Sequence, residues 1–498
     1  MNRVMAALRA QRLLFIAIAG VAILVLVATF FDRQGGESIP NASAIEPVGS
    51  AVLLCPEPGA GADLGVRVTA AVVPGQGGQV DRPGSAGMET LPGKESAEAS
   101  ISTPGGQAQI NAFGKRLPAI RAFGVGSLAP GLIANQWGRD PRGNGRGMAS
   151  TACASAGADF WFVGGGAIAG RQTRVVLVNP DDTPAVVDVI VHGTDGLIDA
   201  PAGKGLVIKG LDRAVVRLEV LAPGIKATAV HVIARAGRVG ASVADEQMSG
   251  LAAIGTDWIP QSTTPATKLY VPGVMPGKGA RVLSIVTPGV DDATVHIRVI
   301  SPNGTFAPAD REQIDVPAES VISLDMSDVI GGDAATLEIT SDVPVVAGMR
   351  QFFGGRGVQD ETAFSSSAQP MTSASAVSGL PVRMSTDIRV AITAPDTDVK
   401  VDIVLLPYKG GKDAANPTAP IRVNVPAGEV RFILLPEPQA EWFTAVITPA
   451  EGSGPYLASH RVREKSTYGD LVTGYPWTPL RTQVRVPTAQ VDPGLTVQ

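Results

Sequence analysis

The chain has 498 residues, enough for several domains, with 58 Gly, 39 Pro, 17% charged and 5% aromatic residues. An average chain carries about 25% charge, and low charge with 45% hydrophobic residues excludes a wholly disordered chain. Abundant Gly and Pro argues against a coiled coil or helical enzyme, and a net charge of −5 leaves no basic excess for nucleic acid, which is not expected as a partner.

Residues 1–12 carry Arg3, Arg9 and Arg12 and no acid. Leu13 to Phe31 then runs LLFIAIAGVAILVLVATFF, 19 residues without charge or proline. As a helix this is about 28 Å long, close to the ~30 Å hydrocarbon core. The expectation is a transmembrane anchor over 13–31, with 1–12 as a cytoplasmic tip and the rest extracytoplasmic by the positive-inside rule. A cleaved signal peptide is the alternative. Its apolar core is shorter, roughly 7–15 residues, with a small-residue cleavage site close behind. Here the nearest such site, Ala42-Ser43-Ala44, lies eleven residues or more past the apolar run, within a linker at 32–48.

Cys55 and Cys153 are the two cysteines of the chain. Outside the cytoplasm two thiols are expected to pair, as a structural staple. Leu54 before Cys55 speaks against a lipoprotein site.

Internal similarity organises the remainder. RVVLVNPDDTPAVVDVIVHGTDG (174–196), RVLSIVTPGVDDATVHIRVISPNG (281–304) and IRVAITAPDTDVKVDIVLLPYKG (388–410) each read as a strand, a turn with Pro and Asp, and an alternating strand ending at Gly. Second halves match too, at AVVRLEV (214–220), SVISLDM (320–326) and EVRFILL (429–435). The period is about 110 residues, the size of an antiparallel sandwich. The expected fold is all-β: tandem immunoglobulin-like β-sandwich repeats over 49–159, 160–262, 263–372 and 373–480, with a tail at 481–498. The first copy is divergent. Its residues 75–110, rich in Gly, Ser and Pro, are expected to form a flexible insertion.

CASAGADFWFVGGG (153–166), LVNP (177–180), an Ala-Val-Val-Asp-Val strand and a His-Gly-x-x-Gly turn (192–196) resemble an uncharacterised actinobacterial family. Its members are single-pass, extracytoplasmic β-repeat proteins. The resemblance spans nearly the whole chain, including the anchor and the Cys55-Pro56 pair. It implies a role in cell-envelope glycan assembly, because the family's genes commonly lie beside a large membrane glycosyltransferase and near mannose-activation genes. It implies no catalytic residue.

The residues themselves offer little chemistry. His192, His231, His296 and His460 show no metal-ligand spacing. Gly240-Ala241-Ser242-Val243-Ala244 lacks the final Gly of a nucleophile elbow. Gly273 to Gly279 lacks the Ser or Thr of a phosphate loop. Asp181-Asp182, Asp291-Asp292 and Asp396 with Asp398 recur in one turn, which fits turn chemistry better than calcium. No catalytic residue, metal or cofactor is expected. Two loops combine Arg with aromatic residues, as interfaces do: Trp137, Arg139, Arg142 and Arg146, and Arg350, Phe353 and Arg356. The expectation is a non-enzymatic, membrane-anchored scaffold or accessory protein contacting a membrane glycosyltransferase or wall polymer. A glycan-binding protein is the alternative.

Overall fold

The computed structural model describes residues 19–20, 22–23, 44–56, 65–75, 82–91, 99–112, 118–143, 145–354, 360–383, 385–410 and 416–486. Two compact units divide it, Met1–Glu46 with Val484–Gln498, and Pro47–Gln483. In the smaller, residues 19–20 and 22–23 are helical, and a two-stranded ribbon joins Ala44–Pro47 to Gln483–Val486. The rest of the expected anchor, 13–31, lies outside the described residues. Among the described residues no helix is long and apolar enough to cross a membrane.

The larger unit is nearly all β and repeats one strand order. In the repeat at 159–259 the first strand, Asp159–Gly165, pairs with the sixth, Thr228–Ala236, which pairs with the third, Ala185–Gly193. The fourth, Leu206–Ile208, pairs with the start of the third. The second sheet sets the fifth strand, Arg213–Arg217, beside the second, Arg171–Val178, then the seventh, Gly240–Ser249, and the eighth, Ala252–Ile259. One sheet is thus ordered 1-6-3-4 and the other 5-2-7-8.

The same order recurs three times. The first repeat uses Ser50–Cys55, Gly65–Val72, Ser85–Leu91, Ala99–Ile101, Gln107–Ala112, Ala119–Val125, Leu132–Asp140 and Gly147–Ala152. The fourth uses Ser375–Pro381, Thr386–Ala394, Val399–Tyr408, Ile421–Val425, Glu429–Leu434, Trp442–Pro449, Leu457–Glu464 and Leu471–Thr473. The third repeat runs from Ala266–Val274 through Arg281–Val286, Ala293–Ser301, Gln313–Val316 and Val321–Asp325. There the sixth and seventh strands are one continuous strand, Ala335–Phe353, and Glu361–Ser366 is the eighth. Even the register recurs. The fourth strand sets Ile101, Ile208, Val316 and Val425 opposite Ala86, Ala185, Ala293 and Val399.

Two expectations are corrected. An immunoglobulin order places the first strand beside the second and the seventh beside the sixth. Here the first and seventh strands exchange sheets. For the seventh strand the cause is the passage from the sixth, which crosses between the sheets. Ala335–Phe353 shows it without a break, since Ala335–Ser341 pairs in one sheet and Val346–Gln351 in the other. The stretch 75–110 is also not simply a flexible insertion. Its described residues supply the third, fourth and most of the fifth strand of the first repeat. Ala86, Met88, Ile101 and Ala108 turn inward into the apolar cluster of that repeat.

Alternation explains burial. Val399, Val401, Ile403 and Leu405 are buried, while Lys400 is exposed and Asp402 and Val404 are partly so. Each repeat encloses its own apolar cluster between its two sheets. A disulfide joins Cys55, on the first strand of the first repeat, to Cys153, just past its eighth.

Candidate functional site

The eighth strands bring the four repeats together. Gly147–Ala152 lies against Ala252–Ile259, which lies against Glu361–Ser366, which lies against Leu471–Thr473, and that strand returns to Gly147–Ala152. Within the larger unit the repeats therefore close into a ring whose centre is lined by equivalent strands. Glycine permits the approach, because a Cβ on Gly147 would stand 2.9 Å from both the backbone N and O of Thr256.

Polar groups lock this centre. Asp257 Oδ1 accepts from the backbone N of Ser150 at 3.1 Å, of Trp258 at 2.9 Å, and from Thr473 Oγ1 at 3.0 Å. Ser150 Oγ and Thr473 Oγ1 are 2.8 Å apart. Arg146 is fully buried and donates to the carbonyls of Asp360 at 3.0 Å and Asp470 at 3.1 Å, and to Gly469. Its guanidinium stands 3.9 Å from the buried carboxylate of Glu361. Burial pushes both Asp257 and Glu361 well above the usual carboxylate range, against hydrogen bonds to each and the Arg146 charge beside Glu361.

The seams are also built of specific contacts. Phe364 of the third repeat is buried in the core of the second. Thr336 and Thr393 hydroxyls meet at 2.8 Å between the third and fourth. Between the fourth and first, Thr69 Oγ1 lies 2.9 Å from Ser378 Oγ, and Asn135 Oδ1 accepts from Ser378 N at 2.7 Å. Asn135 Nδ2 also donates to Tyr475. His460 is buried beside Trp137, Tyr475 and Trp477. Its Nδ1 accepts from Trp477 Nε1 at 3.0 Å, so the neutral ring carries its proton on Nε2, which has no partner. Burial pushes this imidazole down to about 3.

The residues expected on a contact surface take other roles. Trp137 is buried and donates its indole N–H to Ser378 O at 3.0 Å, across a seam. Arg146 is interior, as above. Arg350 is largely covered, bonds Gln247 of the second repeat, and lies 4.3 Å over Phe352, with burial pushing it down to about 9. Arg139 pairs with Glu464 of the fourth repeat, and half-buried Phe353 lies 4.6 Å beneath Arg281. Arg142 stands 5.8 Å over the Tyr468 ring. Arg356 lies outside the described residues. Burial of Trp137, Arg146 and Arg350 means that their arginine-aromatic clustering joins repeats of this chain.

The histidines divide similarly. His231 stacks on Trp161 at 3.9 Å and bonds Asp159 at 2.9 Å, while His192 Nδ1 lies 2.9 Å from Glu319 O of the third repeat. His296 is exposed. Among the described residues no group of three or more His, Cys, Asp or Glu is placed to hold a metal. Asp257, Glu361, Thr473 and Ser378 were not singled out by the sequence, because no local motif marks them.

Two grooves open at seams of the fourth repeat. One, of about 340 Å³, meets the third repeat and is lined by Lys278, Phe353, Arg461, Arg463 and Asp470 among others. There Arg463 pairs with Asp470 at 2.6 Å and Arg461 with Asp387 at 3.0 Å. The other, of about 360 Å³, meets the first repeat and includes Arg67, Asn111, Trp137, Arg139, Arg383 and Glu464.

Residues 110–425 match a family described as "Family of unknown function (DUF5719)". The chain belongs to that family. Comparison with curated proteins returns no match. Among solved structures, one of Thermotoga maritima 1070 is similar at 17% identity over 21% of this chain and 96% of that chain, with a TM-score of 0.17. Bacteroides uniformis beta-glucuronidase 2 is similar at 8% identity over 48% of this chain and 26% of that chain, with a TM-score of 0.12. An anti-sigma factor domain-containing protein from Clostridium clariflavum is similar at 9% identity over 85% of this chain and all of that one, also at 0.12. Likenesses this slight carry no argument about activity.

Proposed function

We propose that this protein is a non-enzymatic, membrane-anchored scaffold or accessory protein of the cell envelope. Residues 13–31 would hold it to the membrane, with the ring of repeats on the extracytoplasmic side. There it would contact a membrane glycosyltransferase or the growing wall polymer.

The observation that carries this reading is the use of the buried polar groups. Asp257, Glu361 and Arg146 are occupied in joining repeats, and their contacts cross seams of one closed body, while the His460 ring packs on Trp137 across the seam between the fourth and first repeats. Such a construction holds surfaces at fixed positions, as a docking platform requires. The sequence supports the address through the apolar run at 13–31 and its flanking arginines. The disulfide is in keeping with an oxidising compartment. Actinobacterial origin and the neighbouring glycosyltransferase gene belong to this proposal alone.

Crosslinking in intact cells that make the protein, followed by its recovery from membranes, tests the reading. Enrichment of a glycosyltransferase or wall glycan over an unrelated anchored control is expected. Recovery from the cytosolic fraction, or no enrichment, would overturn it.

A further inference from the structure

The groove between the first and fourth repeats carries unbalanced charge. Arg67, Arg139 and Arg383 line it together with one carboxylate, Glu464. That carboxylate is already shared, by Arg139 Nε at 2.8 Å and by Arg383 Nη1 at 3.6 Å. Arg67 makes no ion pair among the described residues. Its Nη2 donates to Gly379 O at 2.7 Å, and its buried Nε has no partner. Burial and the nearby Arg383 push Arg67 down to about 10, against the opposing influence of Glu441 outside the groove. Gathering guanidinium groups in a partly covered site is unfavourable unless an anion neutralises them.

The rest of the wall has two chemistries. Val66, Met148 and Pro381 offer apolar surface, and the exposed Asn111 at the rim offers an amide. A volume of about 360 Å³ lies toward the small end of ligand sites, roughly 300–1,000 Å³. The position also bears on stability, since an occupant would touch both repeats at the seam that closes the ring.

We propose that this groove binds a small organic anion, a carboxylate or phosphate carried on a sugar-sized body. Arg383 and Arg67 hold the charge, Asn111 bonds a hydroxyl, and Met148 and Pro381 meet the ring. This assignment goes beyond the scaffold reading and stands without it, because a groove that binds in vitro does not depend on a membrane partner.

Calorimetric titration of the purified full-length chain in non-ionic detergent tests it, with glucuronate, glucose 6-phosphate, glucose and inorganic phosphate as probes. One anionic sugar is expected to bind one-to-one, about tenfold or more tighter than glucose, as befits one or two charge-assisted hydrogen bonds. The preferred anion separates carboxylate from phosphate, and either supports the proposal. Arg383→Ala should weaken binding about tenfold, while the half-exposed position leaves folding intact. Asn111→Ala, at an exposed position, should weaken the sugar and leave inorganic phosphate unaffected. Equal affinity for glucose and both anionic sugars, or no loss in Arg383→Ala, would each overturn it, as would inorganic phosphate binding as tightly as the preferred anionic sugar. Failure of the envelope crosslinking alone would leave this site standing.

Discussion

Thr473 Oγ1 donates to Asp257 Oδ1 over 3.0 Å, joining the last strand of the fourth repeat to the equivalent strand of the second. The same oxygen accepts from Ser150 N of the first repeat. From the second repeat this buried carboxyl therefore reaches the first and the fourth, and the backbone of Phe364 in the third also bonds it. Asp257→Ala would strand these donors, and we expect a loss of about 3–5 kcal/mol in equilibrium urea unfolding, in the range for breaking buried polar networks. Asp257→Asn keeps an acceptor oxygen and should lose less. A loss below 1 kcal/mol in the alanine variant, on the order of a surface substitution, would remove Asp257 from this role.

The pH dependence of that pair has a definite sign. Burial raises the Asp257 carboxyl well above its ordinary 3.8. The folded state then keeps a proton that the unfolded chain has released. This contribution is complete below the unfolded value and declines as pH rises through the folded one. The deficit of Asp257→Asn relative to the natural protein should therefore shrink with rising pH. A deficit that grows from pH 5 to pH 8 would contradict it.

His460 acts in the opposite sense. Held down to about 3, it is neutral in the fold at pH values where the unfolded imidazole, near 6.5, takes a proton. Its contribution is present above the unfolded value and is lost as pH falls from 6.5 toward about 3. Urea midpoints of the natural protein and His460→Gln should converge as pH is lowered across this window. Parallel curves would show that the imidazole does not titrate with unfolding.

Phe364 fills the core of a repeat other than its own. Phe364→Ala should cost about 3–5 kcal/mol, as for other buried aromatic truncations. Because the ring crosses a seam, hydrogen exchange should rise in the second repeat as well as the third. Exchange confined to the third repeat would show that the two are not coupled there.

The disulfide between Cys55 and Cys153 closes a loop with a sequence separation of 98. Loop entropy suggests about 4–5 kcal/mol for such a closure. Reduction should lower the thermal midpoint, with the first exchange-labile amides in the repeat spanning 50–155. An unchanged midpoint after complete reduction would contradict this.

Much of the repeat is legible in sequence because its strands are locally encoded. Val399 to Leu405 alternate, and the Pro-Asp turns before Ala185, Ala293 and Val399 recur in place. The third to fifth strands of the first repeat were hidden because Ala86, Gly87 and Ala108 lack the bulk that marks a strand by pattern. The sheet exchange of the first and seventh strands was hidden too, since pairing partners are not written in either strand alone. Arg146 illustrates the same limit at the centre. Gly145-Arg146-Gly147 reads as an exposed turn, and only closure of the ring surrounds its guanidinium with the carbonyls of Asp360, Gly469 and Asp470.

Ring closure is most directly tested where the first and fourth repeats meet. Thr69 Oγ1 and Ser378 Oγ are 2.9 Å apart although 309 residues separate them in sequence. In the double variant Thr69→Cys, Ser378→Cys, mild oxidation should join these two positions within one chain, seen as a faster-migrating band in non-reducing electrophoresis and as a crosslinked peptide pair by mass spectrometry. Absence of that intramolecular pair, with the Cys55–Cys153 bond intact, would contradict the closed ring of four repeats.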